Sequence, residues 1–294
     1  MSQHRKNLRR KTLAGITAVA AAFSLAACGS DDEDVIKVGT TDQGQKQWQV
    51  FEEQAKAEGL NVELVPFSDY NLPNRALADG QIDVNNFQHL MFLADYNVNN
   101  DSDLTPIGAT EIIPLALYYK DHDDVKAVEE AGEVAIPNDP TNQGRALHML
   151  ASNGLVELKD SEILSPTPAD VDTDKSKVKI TPVDAAQTVT AYMDGTPAVI
   201  NNSFLDRGNI DPKSAVAQDD PEAPEAQPFI NAFVTTKDRK DEADLLKLVD
   251  VWHSKEVQDA INEQSAGTSV SVNMKGDQLT EILKSTEDKI REQQ

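Results

Sequence analysis

Between Glu133 and Gly154 the chain gathers polar side chains in a pattern suited to holding an anion. Asn138, Asn142, Gln143, Gly144 and Arg145 stand between a short apolar run, Val134-Ala135-Ile136, and a segment in which Leu147, Leu150 and Ala151 recur at helical spacing. Asp139-Pro140 reads as a helix start: aspartate serves as N-cap, and proline takes the first helical position, where its missing N–H costs nothing. Gly154 supplies the left-handed stop. A helix N-terminus presents unpaired N–H groups and the positive end of its dipole. An arginine placed there can grip a planar carboxylate with two parallel hydrogen bonds. On chemistry alone two readings of Arg145 stand open, a carboxylate ligand or a surface salt bridge.

The elements that must position this cluster read as α/β. Ile36–Gly39 and Val62–Val65 are short strands flanking a helix that carries Trp48, Phe51 and Ala55 on one side, a βαβ unit and hence a parallel pair. A turn with Tyr70 feeds a short helix ending at Gly80, then a strand over Ile82–Phe87, with Gln88-His89 opening the next helix. Ile107–Tyr119 is strongly β-prone but contains Pro114, which demotes it to an edge or a crossing between lobes. Val178–Pro182 and Pro197–Asn202 read as strands, Phe229–Thr236 as the return crossing, and Glu242–Gln264 as helix. Leu279, Ile282, Leu283, Thr286 and Ile290 describe one face of a C-terminal amphipathic helix that covers core. Ser165–Lys177 and the acidic, proline-rich Gln218–Gln227 read as surface loops, with no internal repeat anywhere. Tyr70, Phe87–His89, Asn138–Arg145, Asn201-Asn202 and Asn231 all fall at or just past strand ends, where sheets of this class bind ligands. One shared cleft is the economical expectation.

Residues 1–28 read as a targeting segment. Arg5, Lys6, Arg9, Arg10 and Lys11 precede an apolar core from Leu13 to Ala27, ending in Leu25-Ala26-Ala27-Cys28. That is the pattern of a bacterial lipoprotein signal, with cleavage before Cys28 and lipid, palmitate included, carried there. Cys28 is the only cysteine, so no disulfide forms within one chain. Residues 29–35 are an acidic tether, which makes the expectation anchored rather than spanning, at the extracytoplasmic face of the cell membrane. Loss of the five cations takes the net charge from −23 to about −28, which argues against nucleic acid. The remaining length of about 266 residues suits two lobes.

No P-loop, nucleophile elbow, H-E-x-x-H or C-x-x-C motif occurs. His4, His89, His122, His148 and His253 have no metal-ligand spacing. The expectation is no metal, no cofactor and no catalysis.

The chain resembles the methionine-binding lipoproteins of ABC importers, the NlpA/MetQ family. Three motifs carry the resemblance: Phe67–His89, Ile136–Leu147 with its Pro-Asn-Asp-Pro-Thr-Asn-Gln-Gly-Arg, and Ala198-Val199-Ile200-Asn201; Pro228–Val234 supports it. The resemblance implies a type II periplasmic-binding-protein fold, with two α/β lobes joined by two crossovers around a ligand cleft. It places lobe I at 36–117 plus 232–294 and lobe II at 118–231, with bending near Leu117–Tyr119 and Phe229–Phe233. By the same resemblance Arg145 holds the carboxylate of L-methionine, and Asn201 and Asn231 bond its carboxylate or ammonium. Tyr70, Phe87 and His89 surround its thioether. Each has a plainer alternative: core aromatics for Tyr70 and Phe87, a helix cap for His89, turn amides for the asparagines. The implied partners are an ABC permease and its ATPase, with the binding protein itself a monomer. Two departures stand out, Ile113 where relatives carry tyrosine before the proline, and the loop Gly39–Gln45. They raise the alternative of a pocket retuned for a methionine derivative, a dipeptide or another amino acid. The segment beyond Gly276 also lies outside the family pattern. Rivals from other classes are an extracytoplasmic enzyme acting on amino-acid derivatives and a non-transport surface scaffold.

Overall fold

The computed structural model describes residues 35–294. The targeting segment, Cys28 and the tether up to Asp34 lie outside the described residues. The chain opens with β1 (Val35–Thr40), α1 (Lys46–Ala57), β2 (Asn61–Pro66), α2 (Pro73–Ala78), β3 (Val84–Asn85), α3 (Leu90–Asn100) and β4 (Thr105–Ile112). A second group follows: β5 (Ala116–Tyr118), α4 (Val125–Ala131), β6 (Glu133–Pro137), α5 (Pro140–Ser152), β7 (Lys179–Val183), α6 (Thr188–Met193), β8 (Ala198–Ile200) and β9 (Ala217–Gln218). The chain then returns through β10 (Ile230–Thr235), α7 (Ala243–Trp252), α8 (Lys255–Gln264), β11 (Val270–Ser271) and α9 (Gly276–Gln293).

Two sheets result, ordered β11-β4-β10-β3-β1-β2 and β7-β6-β8-β5-β9. The expected βαβ unit is present: β1 and β2 run parallel, with Val38 opposite Leu64. Its helix buries Trp48, Phe51 and Ala55, and both rings pack against Trp252 of α7, with centroids 4.9 and 5.6 Å apart. The other face of this sheet is covered by α3 and α9, through Leu90, Leu93, Leu279, Leu283 and Ile290. The C-terminal amphipathic face is therefore core cover, as its spacing implied. In the second sheet Val134 and Ile136 of β6 meet Leu147 and Leu150 of α5 on one face. Ala135, Ala198 and Ile200 pack against Phe204 on the other.

Several boundaries differ from the sequence reading. The β-prone run 107–119 is cut by Pro114 into β4 and β5, which belong to different sheets. Proline has no N–H to give a ladder, so the strand ends and the chain crosses. The change of sheet thus falls at 113–115 and 219–229. Leu117 and Tyr118, expected near the bend and the lobe boundary, instead pair with β8, and Ile230–Phe233 pair with β4. A laddered backbone resists the dihedral changes a bend requires. The run 82–87 is a strand only at Val84–Asn85, and Asn85 joins its side chain to Asn74 and Gln88 in a buried amide network. Glu242–Gln264 is two helices, parted where Ser254 adopts extended backbone angles and His253 Nε2 meets the Ala109 carbonyl at 2.9 Å.

Candidate functional site

Arg145 sits in the second turn of α5, just beyond the end of β6. Asp139 caps that helix: its Oδ1 accepts from the backbone N–H of Asn142 at 3.0 Å and from Asn142 Nδ2 at 2.9 Å. The second bond fixes which way the Asn142 amide faces. Its Oδ1 then accepts from Asn201 Nδ2, at the end of β8, at 2.9 Å, and lies 3.3 Å from His89 Nε2. Gly144 lets this turn approach the Ser165 backbone, since a Cβ there would stand 2.7 Å from Ser165 Cα.

His89 caps α3 and also faces the site. Its Nδ1 accepts from the Phe92 N–H at 3.1 Å, which leaves the proton on Nε2, pointing at Asn142. Burial, with the Arg145 charge adding to it, pushes the imidazole down to about 3, so it stays neutral. His89 is thus a helix cap that also lines the cavity. A bridge of backbone bonding sets His89 beside Asn231, whose Nδ2 donates to the Glu111 carbonyl at 3.3 Å.

Opposite the polar groups is an aromatic wall. Tyr70 lies 5.9 Å from Phe87 and 5.0 Å from Phe204, ring to ring, and Phe92 completes it, 5.7 Å from Phe87. Tyr70, Phe87, His89, Arg145, Asn201 and Asn231 line one cavity of about 450 Å³, part of it open to solvent. It lies at the junction of the two sheets, with Ile113-Pro114-Leu115 of the first crossing in its wall. A larger cleft of about 1100 Å³ beside β4, α7 and the start of α9 is lined by residues of the first sheet's side alone.

Arg145 itself is in a salt bridge, but a buried one: its side chain is 5% exposed. Nε donates to Asp219 Oδ2 at 2.5 Å, and Nη2 donates to Asp219 Oδ1 at 3.1 Å and to the Ile113 carbonyl at 2.9 Å. The guanidinium lies 4.2 Å over the Phe229 ring. Nη1 keeps both its N–H groups free of a protein acceptor among the described residues. Asn201 Oδ1 is the complementary group, a buried acceptor without a donor. Free donors, a free acceptor and an aromatic wall suit a zwitterion with an apolar side chain. The role of Asp219 was not legible in the sequence, because nothing local separates it from Asp220 and the other acids of its loop. Among the described residues no group of His, Cys, Asp or Glu is placed to hold a metal ion, and no helix is long and apolar enough to cross a membrane.

The sequence profile of the NlpA lipoproteins matches residues 36–273. The chain belongs to the NlpA lipoprotein family. Among its relatives is the D-methionine-binding lipoprotein MetQ of Escherichia coli K12, 36% identical over 267 residues that cover 88% of this chain and 97% of that one. The crystal structure of protein PG110 from Staphylococcus aureus superposes with a TM-score of 0.80 at 36% identity, covering 85% of this chain and 99% of the other. The substrate-binding protein of a methionine transporter from Streptococcus pneumoniae gives 0.74 at 32% identity, covering 81% and 95%. This NlpA lipoprotein thus has the α/β fold of periplasmic substrate-binding proteins, as its motifs implied. α9 lies beyond the matched segment.

Proposed function

We propose that this NlpA lipoprotein is the extracytoplasmic substrate-binding protein of an ABC importer, capturing L-methionine or a close analogue and delivering it to a permease. The observation that carries this reading is the pairing of the free Arg145 Nη1 donors with the unpaired Asn201 Oδ1 beside the Tyr70–Phe87–Phe92 wall. A ligand carboxylate meets Arg145, with Asn231 alongside, and the ammonium donates to Asn201. A thioether packs against the aromatic edges, a contact favourable for sulfur. Lobe I is the side of the six-stranded sheet, residues 36–112 plus 230–294, and lobe II the side of the five-stranded sheet, residues 116–218. Closure bends the chain at Ile113–Leu115 and Asp219–Phe229, and ligand stabilises the closed form. Lipid on Cys28 holds a monomer at the membrane, and the ATPase belongs to a partner chain. Binding is the whole of its chemistry.

The test is a thermal-unfolding panel on the full chain in detergent, unfolded and refolded beforehand to strip carried-over ligand. A ligand bound only by the native state adds about 4 kcal/mol at a thousandfold excess over Kd. A large shift with L-methionine is expected, and none with any amino acid overturns the reading. Ile113 in the pocket wall favours a second reading, a pocket retuned for a derivative or dipeptide. A larger shift with D-methionine, methionine sulfoxide or glycyl-methionine selects it.

A further inference from the structure

Two amides, Asn142 and Asn201, stand between the Asp139 cap and the ligand, and the way each one faces is fixed by its neighbour. The nitrogen and oxygen of an amide sit on equivalent branches, so the group it offers depends on which branch its partners hold. Asp139 Oδ1 accepts from the backbone N–H of Asn142 at 3.0 Å, from Thr141 Oγ1 at 3.2 Å and from Asn142 Nδ2 at 2.9 Å. Turned the other way, the Asn142 amide would set its oxygen against the Asp139 oxygen, acceptor against acceptor.

A second constraint comes from the opposite side. A backbone N–H can only donate, so the Phe92 N–H, 3.1 Å from His89 Nδ1, requires the neutral imidazole to carry its proton on Nε2. That proton needs an acceptor, and the Asn142 oxygen stands 3.3 Å away. Two independent caps, one of α5 and one of α3, therefore select the same orientation of Asn142.

The orientation passes on to Asn201. Its Nδ2 donates to Asn142 Oδ1 at 2.9 Å, which leaves Asn201 Oδ1 on the other branch, buried and without a partner. Reversing Asn142 would reverse Asn201 with it and offer a ligand an N–H donor in place of an acceptor. With the oxygen presented, a ligand must bring a donor to this corner, whereas a carbonyl or carboxylate there would meet like with like.

We propose that Asp139 and Asn142 are positioning residues that make the site select for an ammonium, by holding the Asn201 amide with its oxygen toward the ligand. Asp139 does not line the cavity and acts through Asn142, which does. The inference rests on the function proposed above for the identity of the ligand, though not for the orientation of the amides.

The test compares L-methionine with its des-amino counterpart, 4-(methylthio)butanoate, by calorimetric titration into the full chain in detergent. The two ligands share carboxylate and thioether, so a change at Arg145, His89 or the aromatic wall moves both, and only their ratio reads the ammonium. Asn142→Ala and Asp139→Ala are expected to lower the preference for methionine about tenfold, with affinity for the des-amino ligand held within about twofold. Asp139→Asn, whose amide oxygen still caps the helix and accepts from Asn142, is expected to keep the preference. An unchanged preference in both alanine variants overturns the proposal. So does an equal loss for both ligands, the mark of a cap that only holds the helix, or a loss in Asp139→Asn as large as in Asp139→Ala. Hydrogen exchange of the Asn201 side-chain amide, followed by NMR, gives a readout that needs no ligand. Exchange about tenfold faster in the alanine variants is expected, and equal rates overturn the proposal. If neither ligand binds the wild type, the function proposed above falls and the exchange rates alone decide whether Asp139 and Asn142 hold Asn201.

Discussion

Asp219 holds Arg145 side-on, with Nε and Nη2 of one guanidinium bonded to the two oxygens of one carboxylate at 2.5 and 3.1 Å. The same carboxylate accepts from the Leu115 N–H at 2.8 Å, while Arg145 reaches the Ile113 carbonyl and lies over Phe229. Asp219 and Phe229 bound the second crossing, and Ile113 and Leu115 bound the first. One ion pair therefore ties both crossings together and orients the arginine, leaving Nη1 as the free end.

Asp219→Asn is expected to lower stability by about 2 kcal/mol, the scale of a charged hydrogen bond lost in a largely buried place. Its exposed neighbour is the control, since Asp220→Asn should stay within about 0.5 kcal/mol. Urea unfolding of the two variants checks this; equal midpoints would remove Asp219 from the hinge.

Arg145→Ala should abolish methionine binding, and Arg145→Lys should recover little of it. An ammonium has no planar fork and cannot hold Asp219 and Ile113 while presenting a further pair of donors. Equilibrium dialysis with labelled methionine reads the result. Wild-type affinity in the lysine variant would show that charge alone suffices.

His89 contributes a pH dependence whose sign follows from its neutral, buried state. Its value is pushed down to about 3, against about 6.5 when unfolded. As pH falls below 6.5 the unfolded chain takes up a proton that the folded chain refuses, so stability drops between pH 6.5 and 3. The loss at pH 4 is on the order of 3 kcal/mol. His89→Gln should flatten this part of the stability curve; an unchanged slope would place the proton uptake elsewhere.

Glu111 acts in the opposite direction. Burial raises its carboxyl to about 7, with the Asp42 charge adding to it, above the usual value near 4.5. The folded chain holds this proton more tightly, so the cost of burial is absent below pH 4.5, grows as pH rises, and is complete above pH 7. Glu111→Gln should therefore be more stable than wild type at pH 8, by on the order of 2–3 kcal/mol, and should lose that advantage by pH 4.5. Asp42, whose charge is felt at Glu111, is unaltered in this comparison. Denaturant midpoints at the two pH values decide it.

α9 packs on the first sheet, yet its last residue reaches a loop that follows α5 of the second. Gln293 Oε1 accepts from the Leu164 N–H at 2.9 Å, and Gln293 Nε2 lies 3.4 Å from the Glu162 carbonyl. Gln293→Ala should leave global stability within about 1 kcal/mol, since these bonds are exposed. It should speed amide exchange at Leu164 severalfold. Unchanged exchange there would mean that the helix end does not tie the two sides together.

The sequence by itself determined the class of the fold and the identity of most pocket residues. Strand and helix periods in Ile36–Val65 and Asp139–Ala151 are local properties, set by which face each side chain takes. Asp139-Pro140 and Gly154 are local signals too, and they delimit α5 closely. Pro114 marked the crossing for a reason confined to one residue, its missing N–H. Tyr70, Phe87, His89, Arg145, Asn201 and Asn231 were legible because they stand at strand ends within recognisable motifs. Tertiary structure alone decided their partners. Nothing near Arg145 in sequence announces Asp219, a carboxylate 74 positions away, and nothing near Glu111 announces Asp42 or Ser269. Charge pairing and burial depend on what the folded backbone sets within a few ångströms. That proximity is a property of the whole chain, so no short stretch of it could specify which acid would be paired and which would be left without a cation.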